Sequence, residues 1–122
     1  SLEQKTVLLS DFPAIPTEKI VKLANASVTT SREYFEKFSI PNDELYCLCD
    51  LVRVNGIGPI AARAFYEAGY QSVNALAEGN PEEMLERISK VNAKKGYYKA
   101  SLGVKDMQFC IDFAKLLNQF SS

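Results

Sequence analysis

The residues Asn55-Gly56-Ile57-Gly58-Pro59 have the composition of a turn that can hold an anion. Glycines at 56 and 58 permit backbone angles closed to other residues, and they leave no side chain between the main chain and a ligand. Pro59 is typical of a first helical position. Because the N–H groups that open a helix have no partner within it, such a turn can hold a phosphate oxygen. Ile57 is expected to point into the core and to anchor the turn.

A basic stretch with aromatic residues is the second feature, and it reads RISKVNAKKGYYKASLGVK over residues 87–105. Tyr97 and Tyr98 lie among its cations, so charge and stacking surface occur together. The stretch can be a phosphate-tracking patch. It can equally be a solvated helix end whose lysines complement the helix dipole, with the tyrosines packed over the core. It contains no acid, and its basic residues are Arg87, Lys90, Lys94, Lys95, Lys99 and Lys105.

Catalytic and metal-binding patterns are absent from the sequence. There is no histidine, and histidine is the commonest general acid or base near neutral pH. No nucleophile elbow, P-loop or dinucleotide fingerprint occurs. Cys47, Cys49 and Cys110 lack zinc-site spacing and are expected to be reduced thiols in or near the core. The sequence therefore predicts no enzyme, no cofactor and no metal site.

A faint internal repeat organises the elements that must position the turn. The segment that starts at Leu9 aligns with the segment that starts at Leu51, and their apolar positions agree at an offset of 42. A repeat of this length predicts two similar helical units, over about 9–50 and 51–92. A further helix is expected over about 104–120, where apolar residues fall at helical spacing. No segment alternates at period two, so we predict an all-α bundle of short helices with one core, as a single domain over 1–122.

Helix boundaries follow from capping residues. Proline and glycine predict a helix from Pro59 to Ala68, with Gly69 as its C-cap. The remaining predicted starts are Thr17 before a helix over 18–26, Thr29 or Thr30 before one to Phe38, Pro41-Asn42 before one from Asp43 to Val52, Ser72 before one to Ala77, and Asn80-Pro81 before one to about Asn92.

The stretch from Leu48 to Ala68 resembles the helix-hairpin-helix motif of many DNA-binding and repair proteins. With the repeat included, much of the chain resembles the tandem helix-hairpin-helix arrangement and is similar to an uncharacterised bacterial family of small proteins of this kind. In DNA-binding members the glycine hairpin contacts the sugar-phosphate backbone without reading sequence. The resemblance implies contact positions at Gly56, Ile57 and Gly58, with Arg63 as the basic candidate in the following helix. It leaves open whether the hairpin carbonyls hold a monovalent cation.

The sequence departs from the binding pattern of that motif. The first hairpin reads Pro13-Ala14-Ile15-Pro16, without glycine and with fewer N–H donors. Pro59 also lacks an N–H, and the helix that follows it is nearly uncharged. We therefore expect one intact anion-binding hairpin, aided by Lys94, Lys95 and Lys99.

Net charge and its distribution leave two functions open. The chain has 122 residues and a net charge of −1, whereas a dedicated DNA-binding domain is usually basic. No apolar run reaches the ~20 residues that span a bilayer, and no signal pattern is seen, so a cytoplasmic protein without membrane contact is expected. The first hypothesis is sequence-independent binding of a DNA or RNA backbone. The second is a protein–protein adaptor, with Tyr34, Phe35 and Phe38 as candidate anchors.

Overall fold

A computed structural model describes residues 5–120, and within this range the chain is helical. A short 3-10 turn, Leu9–Asp11, comes first, and an isolated antiparallel bridge joins Leu8 to Thr30. The all-α class predicted from the sequence is confirmed for the described residues. The helices are α1 (Thr17–Asn25), α2 (Ser31–Lys37), α3 (Glu44–Leu51), α4 (Pro59–Glu67), α5 (Val73–Ala77), α6 (Pro81–Lys95) and α7 (Val104–Phe120).

Helix starts are set by side-chain caps at most of the predicted positions. Thr30 forms a capping box with Glu33, in which each side chain accepts a hydrogen bond from the other residue's backbone N–H. Ser72 and Asn80 accept from the N–H groups of Ala75 and Glu83, both at 3.0 Å. α1 differs from the prediction, because Thr17 is its first residue and Pro16 is its N-cap.

The end of α6 also differs from the prediction. This helix was expected to end near Asn92, but it continues to Lys95. Gly96 ends it with a left-handed backbone, φ +62°, and its N–H donates to the Asn92 carbonyl. The two terminal lysines complement the negative end of the helix dipole, so they favour one more turn.

One apolar core joins the two halves of the chain. α7 packs against α5 and α6, α4 packs against α3 and α6, and α2 packs against α3. None of the described helices has both the length and the apolar character that a bilayer-spanning segment needs. The largest side chains with under 2% exposure are Phe65, Leu9, Leu45, Leu48, Leu51, Ile57, Leu76, Met84, Ile88, Met107, Ile111 and Leu117.

Several backbone features recur 42 residues apart. Ala14 has a positive φ of 63°, and Gly56 has one of 101°. After the helix that follows each hairpin, Ser27 and Gly69 also have positive φ, at 64° and 99°. α1 and α4 each span 9 residues. The positions of these positive φ angles and the lengths of the two helices thus agree at an offset of 42, although only the second turn contains glycine.

Hydrogen bonds recur at the same offset. The N–H of Val28 donates to the Leu23 carbonyl at 2.8 Å, and the N–H of Tyr70 donates to the Phe65 carbonyl at 2.9 Å. Before the hairpins, Phe12 N–H donates to Leu9 and Val54 N–H donates to Leu51. These four hydrogen bonds thus join apolar residues at the same offset of 42.

Candidate functional site

The second hairpin is the turn Asn55-Gly56-Ile57-Gly58-Pro59, which connects α3 to α4. Its conformation is held by burial and hydrogen bonding of its own residues. Ile57 is 1% exposed, and its N–H donates to the Val54 carbonyl at 3.1 Å. Gly56 has φ +101°, a conformation that side chains oppose. Folding therefore explains the glycine at 56 and the buried isoleucine at 57.

Gly58 differs from Gly56, because its backbone angles do not require glycine. Its angles, φ −84° and ψ 179°, are extended and suit most residues before a proline. A Cβ atom at this position would meet Lys5 Nζ at 3.9 Å, which is ordinary contact. Gly58 thus leaves bare main chain beside a lysine ammonium.

The start of α4 lies next to this bare main chain. Gly58 is the N-cap and gives no side-chain hydrogen bond, while Pro59 is the first helical residue. The first intrahelical bond runs from the Ala62 N–H to the Gly58 carbonyl at 2.9 Å. The N–H groups of Ile60 and Ala61 belong to the turn for which a helix provides no acceptor. About half a positive charge is associated with such a helix end, so an anion is favoured there.

Arg63 does not reach the surface of this site. The side chain is 5% exposed, and its Nη2 donates to the Pro13 carbonyl at 3.1 Å and to Glu44 Oε1 at 2.6 Å. Arg63 therefore joins the first hairpin to α3 and α4. This burial removes it from the basic residues that could contact a nucleic-acid backbone.

The predicted lysines are exposed and lie on two connected segments. Lys94 and Lys95 form the last turn of α6, and Lys99 follows in the connection to α7. Both tyrosines between them are half-buried. Tyr97 Oη donates to Glu67 Oε2 at 2.5 Å, and Tyr98 is held by its backbone to the Asn92 side chain. They are packed against the fold rather than available as free stacking surface.

The connection after α6 leads towards the hairpin. Tyr97 contacts Glu67, the last residue of α4, whereas Leu102 lines a cavity beside Gly56 and Ile57, before the start of α4. The segment 97–102 thus joins the end of α4 to the cavity beside the hairpin. Lys99 lies on this path.

A cavity of about 120 Å³ opens beside the hairpin. Phe109 borders it, is 50% exposed, and has its Cε1 3.9 Å from the position of a Cβ on Gly56. Asp106, at the rim, accepts a hydrogen bond from the Gly103 N–H at 2.8 Å. The lining residues are Gly56, Ile57, Ala61, Phe65, Leu102, Asp106, Met107, Phe109 and Cys110.

Lys5, Asp106 and Phe109 are site residues that the sequence did not predict. Lys5 is more than 50 residues from Gly58, so no local pattern joins them. The exposure of Phe109 could have been predicted from helical spacing, because this residue lies outside the row of apolar residues that α7 buries. That buried row is Met107, Cys110, Ile111, Ala114 and Leu117.

Side chains elsewhere are used by the fold. All three thiols are buried, and burial raises the pKa of Cys49 to about 12 and that of Cys110 to about 11. Over residues 5–120, no group of three potential metal ligands occurs. Burial by itself raises the pKa of Asp43, but hydrogen bonds from Tyr34, Tyr46 and Lys19 bring it below its usual value.

The three aromatic residues predicted as partner anchors are engaged within the fold. Tyr34 is 3% exposed and donates to Asp43 Oδ2 at 2.7 Å. The half-buried ring of Phe35 stacks on Tyr46 with centroids 5.0 Å apart. Phe38, also half-buried, lies 4.7 Å from the Tyr34 ring. The exposed aromatic surface is instead on α7.

Comparison with known proteins places the chain in a family. No curated protein and no solved structure matches it significantly. A family model described as a domain of unknown function, DUF4332, matches residues 15–117. Since this match covers most of the chain, the protein belongs to that uncharacterised domain family.

Proposed function

We propose that this protein binds the sugar-phosphate backbone of a nucleic acid without reading sequence, through its second hairpin. Gly58 is the observation that carries the proposal. Neither its backbone angles nor its packing calls for glycine, whereas close approach of a phosphate to the main chain does. The proposal adopts the helix-hairpin-helix interpretation of residues 48–68.

The chemistry around Gly58 suits a phosphate. Backbone N–H groups at the start of α4 offer donors, and the helix dipole favours negative charge. Lys5 adds an ammonium beside the turn. Hydrogen bonds to a charged group contribute about 1.5–3 kcal/mol each, so two such bonds favour a phosphate at this turn, and binding also needs contacts beyond it.

Lysines beyond the hairpin extend the contact. Lys99 lies on the segment that leads from α6 to the hairpin cavity, and Lys94 and Lys95 are exposed at the end of α6. In this proposal, a backbone that is bound at the hairpin extends towards these lysines. The first hairpin contributes little, because Pro16, which has no N–H, stands where the second hairpin has Gly58.

Overall charge sets the expected strength. With a net charge of −1, affinity is expected at the weak end of non-specific binding, for which Kd is typically about 10⁻⁴–10⁻⁶ M. Micromolar protein and low salt are therefore required in any binding experiment.

Fluorescence anisotropy with labelled oligonucleotides of scrambled sequence tests the proposal. Gly58→Val keeps an extended residue before proline but covers the main chain, and we expect affinity to fall at least about tenfold, or 1.4 kcal/mol. Ala24→Val adds a similar group on the exposed surface of α1 and should leave affinity unchanged. Absence of binding by the wild type at tens of micromolar protein would refute the proposal.

An adaptor role is the second candidate, and one observation favours it. Along α7, Phe109, Phe113, Leu116 and Phe120 follow one another at spacings of four, three and four, which is typical of a helix–helix seam. Three of them are 40–63% exposed. If α7 is such a seam, Leu116→Lys should abolish partner binding or self-association and should leave oligonucleotide binding unchanged.

A further inference from the structure

The cavity beside the hairpin has a form that the backbone-binding proposal does not use. It shares Gly56 and Ile57 with the turn, so its mouth and the proposed phosphate position are neighbours. Its volume of about 120 Å³ is below the roughly 300–1,000 Å³ of pockets that enclose small ligands. A flat ring resting at its mouth fits this size better than an enclosed molecule does.

Phe109 supplies a stacking surface at that mouth. Its ring is half exposed, touches the space above Gly56, and lies 5.9 Å from the ring of Phe113. Aromatic side chains beside a positively charged path are the usual means by which proteins hold unpaired bases. The surface is thus suited to a base whose phosphate lies on the hairpin.

Charge and hydrogen bonding favour a nucleic acid over an apolar protein segment as the occupant. Lys5 lies beside Gly58, Lys99 is exposed on the segment that leads to the cavity, and Lys105 is exposed in the first turn of α7. At the rim, the Asp106 carboxylate can accept a hydrogen bond from an exocyclic amino group of a base. An apolar side chain offers neither phosphate nor amino group to these residues.

We infer that the ligand of this site is single-stranded nucleic acid, with one unpaired base stacked on Phe109 while its phosphate lies on the hairpin. This inference rests on the proposed function. A duplex keeps its bases inside the stack, so it can reach the hairpin but not Phe109. The structure therefore predicts a preference for single strands over duplexes.

Three ligands of equal length test this inference by anisotropy at low salt: a single strand, a duplex, and a single strand whose bases have been removed. We expect wild type to bind the single strand about 5- to 150-fold more tightly than the base-free strand, the range for loss of one base–aromatic stack. Phe109→Leu keeps an apolar side chain without the ring and should reduce that preference to near unity. Phe109→Tyr should retain it.

Leu116→Ala is the matched control, because Leu116 is also exposed on α7 but does not line the cavity, and it should change nothing. Thermal unfolding of each variant verifies the fold. Equal binding of all three ligands, or no effect of Phe109→Leu, overturns the inference but leaves the hairpin proposal standing. Binding of none of them overturns both. Self-association that both Phe109→Leu and Leu116→Ala abolish identifies a protein interface instead and also overturns the inference.

Discussion

Replacing each hairpin glycine with alanine separates what folding requires from what a ligand requires. At Gly56, with φ +101°, a side chain costs about 1–2 kcal/mol in the left-handed region. Alanine also restricts the unfolded chain, which stabilises the protein by about 0.4–1 kcal/mol. We expect Gly56→Ala to destabilise the protein by about 1 kcal/mol.

Gly58→Ala should have the opposite effect on stability. Its extended backbone accepts alanine, and the nearest atom to the new Cβ is a flexible lysine end at 3.9 Å. Only the unfolded-state term remains, so the variant should be more stable by about 0.4–1 kcal/mol. The free energies of unfolding of the two variants should therefore differ by about 1–2 kcal/mol. Of the two, only Gly58→Ala should keep full stability while it weakens oligonucleotide binding.

Urea unfolding followed by circular dichroism measures this difference. With a slope of about 2 kcal/mol/M, the two midpoints should lie roughly 0.5–1 M apart, with equal slopes. If Gly58→Ala were destabilised as much as Gly56→Ala, then folding would explain both glycines, and the argument from Gly58 would be refuted.

Two further predictions concern residues that the fold uses. Arg63→Met should lower the free energy of unfolding by about 2–3 kcal/mol, because the Pro13 carbonyl and Glu44 lose a charged donor. Urea titration measures this change. Loss of oligonucleotide binding by a stably folded variant would contradict a purely structural role for Arg63. Asp43→Ala removes the N-cap of α3 and the hydrogen-bond acceptor of Tyr34. We expect this variant to lower the free energy of unfolding by about 2 kcal/mol at pH 7. Since the pKa of Asp43 lies below its ordinary value of 3.8 in the folded state, its stabilisation is present at neutral pH and is lost as the pH falls through that folded-state pKa. The difference in unfolding free energy between wild type and variant should therefore shrink from pH 7 to pH 2.5, and an unchanged difference would contradict the assignment.

Helix starts were predictable because their determinants are local. The side chains of Thr30, Ser72 and Asn80 each reach an N–H three residues ahead, so four consecutive letters contain the whole interaction. The end of α6 was predicted three residues early, at Asn92, although Gly96 and the two lysines before it mark the end that the structure has. Thr17 was predicted as the N-cap of α1, but the helix starts at this residue, and its N-cap is Pro16, which gives no side-chain hydrogen bond.

Site residues were predictable only where the turn itself defines them. Glycines at 56 and 58 marked the hairpin, but the sequence could not say that only Gly56 has a positive φ. The burial of Arg63 depends on Pro13, which is 50 residues away, whereas the resemblance implied that this cation would contact a nucleic acid. Lys5 reaches Gly58 through tertiary contact alone, which no spacing rule contains.

The salt dependence of affinity tests the central claim most directly, because it counts phosphate contacts. With Lys5, Lys94, Lys95 and Lys99 on the backbone, the slope of log K against log salt for a single strand should be about −3, from about −0.7 per contact. Replacement of Lys5 and Lys99 with glutamine should reduce its magnitude by about 1.4. A flat response to salt, or no binding at low salt, would contradict the proposal that this hairpin holds a nucleic-acid backbone.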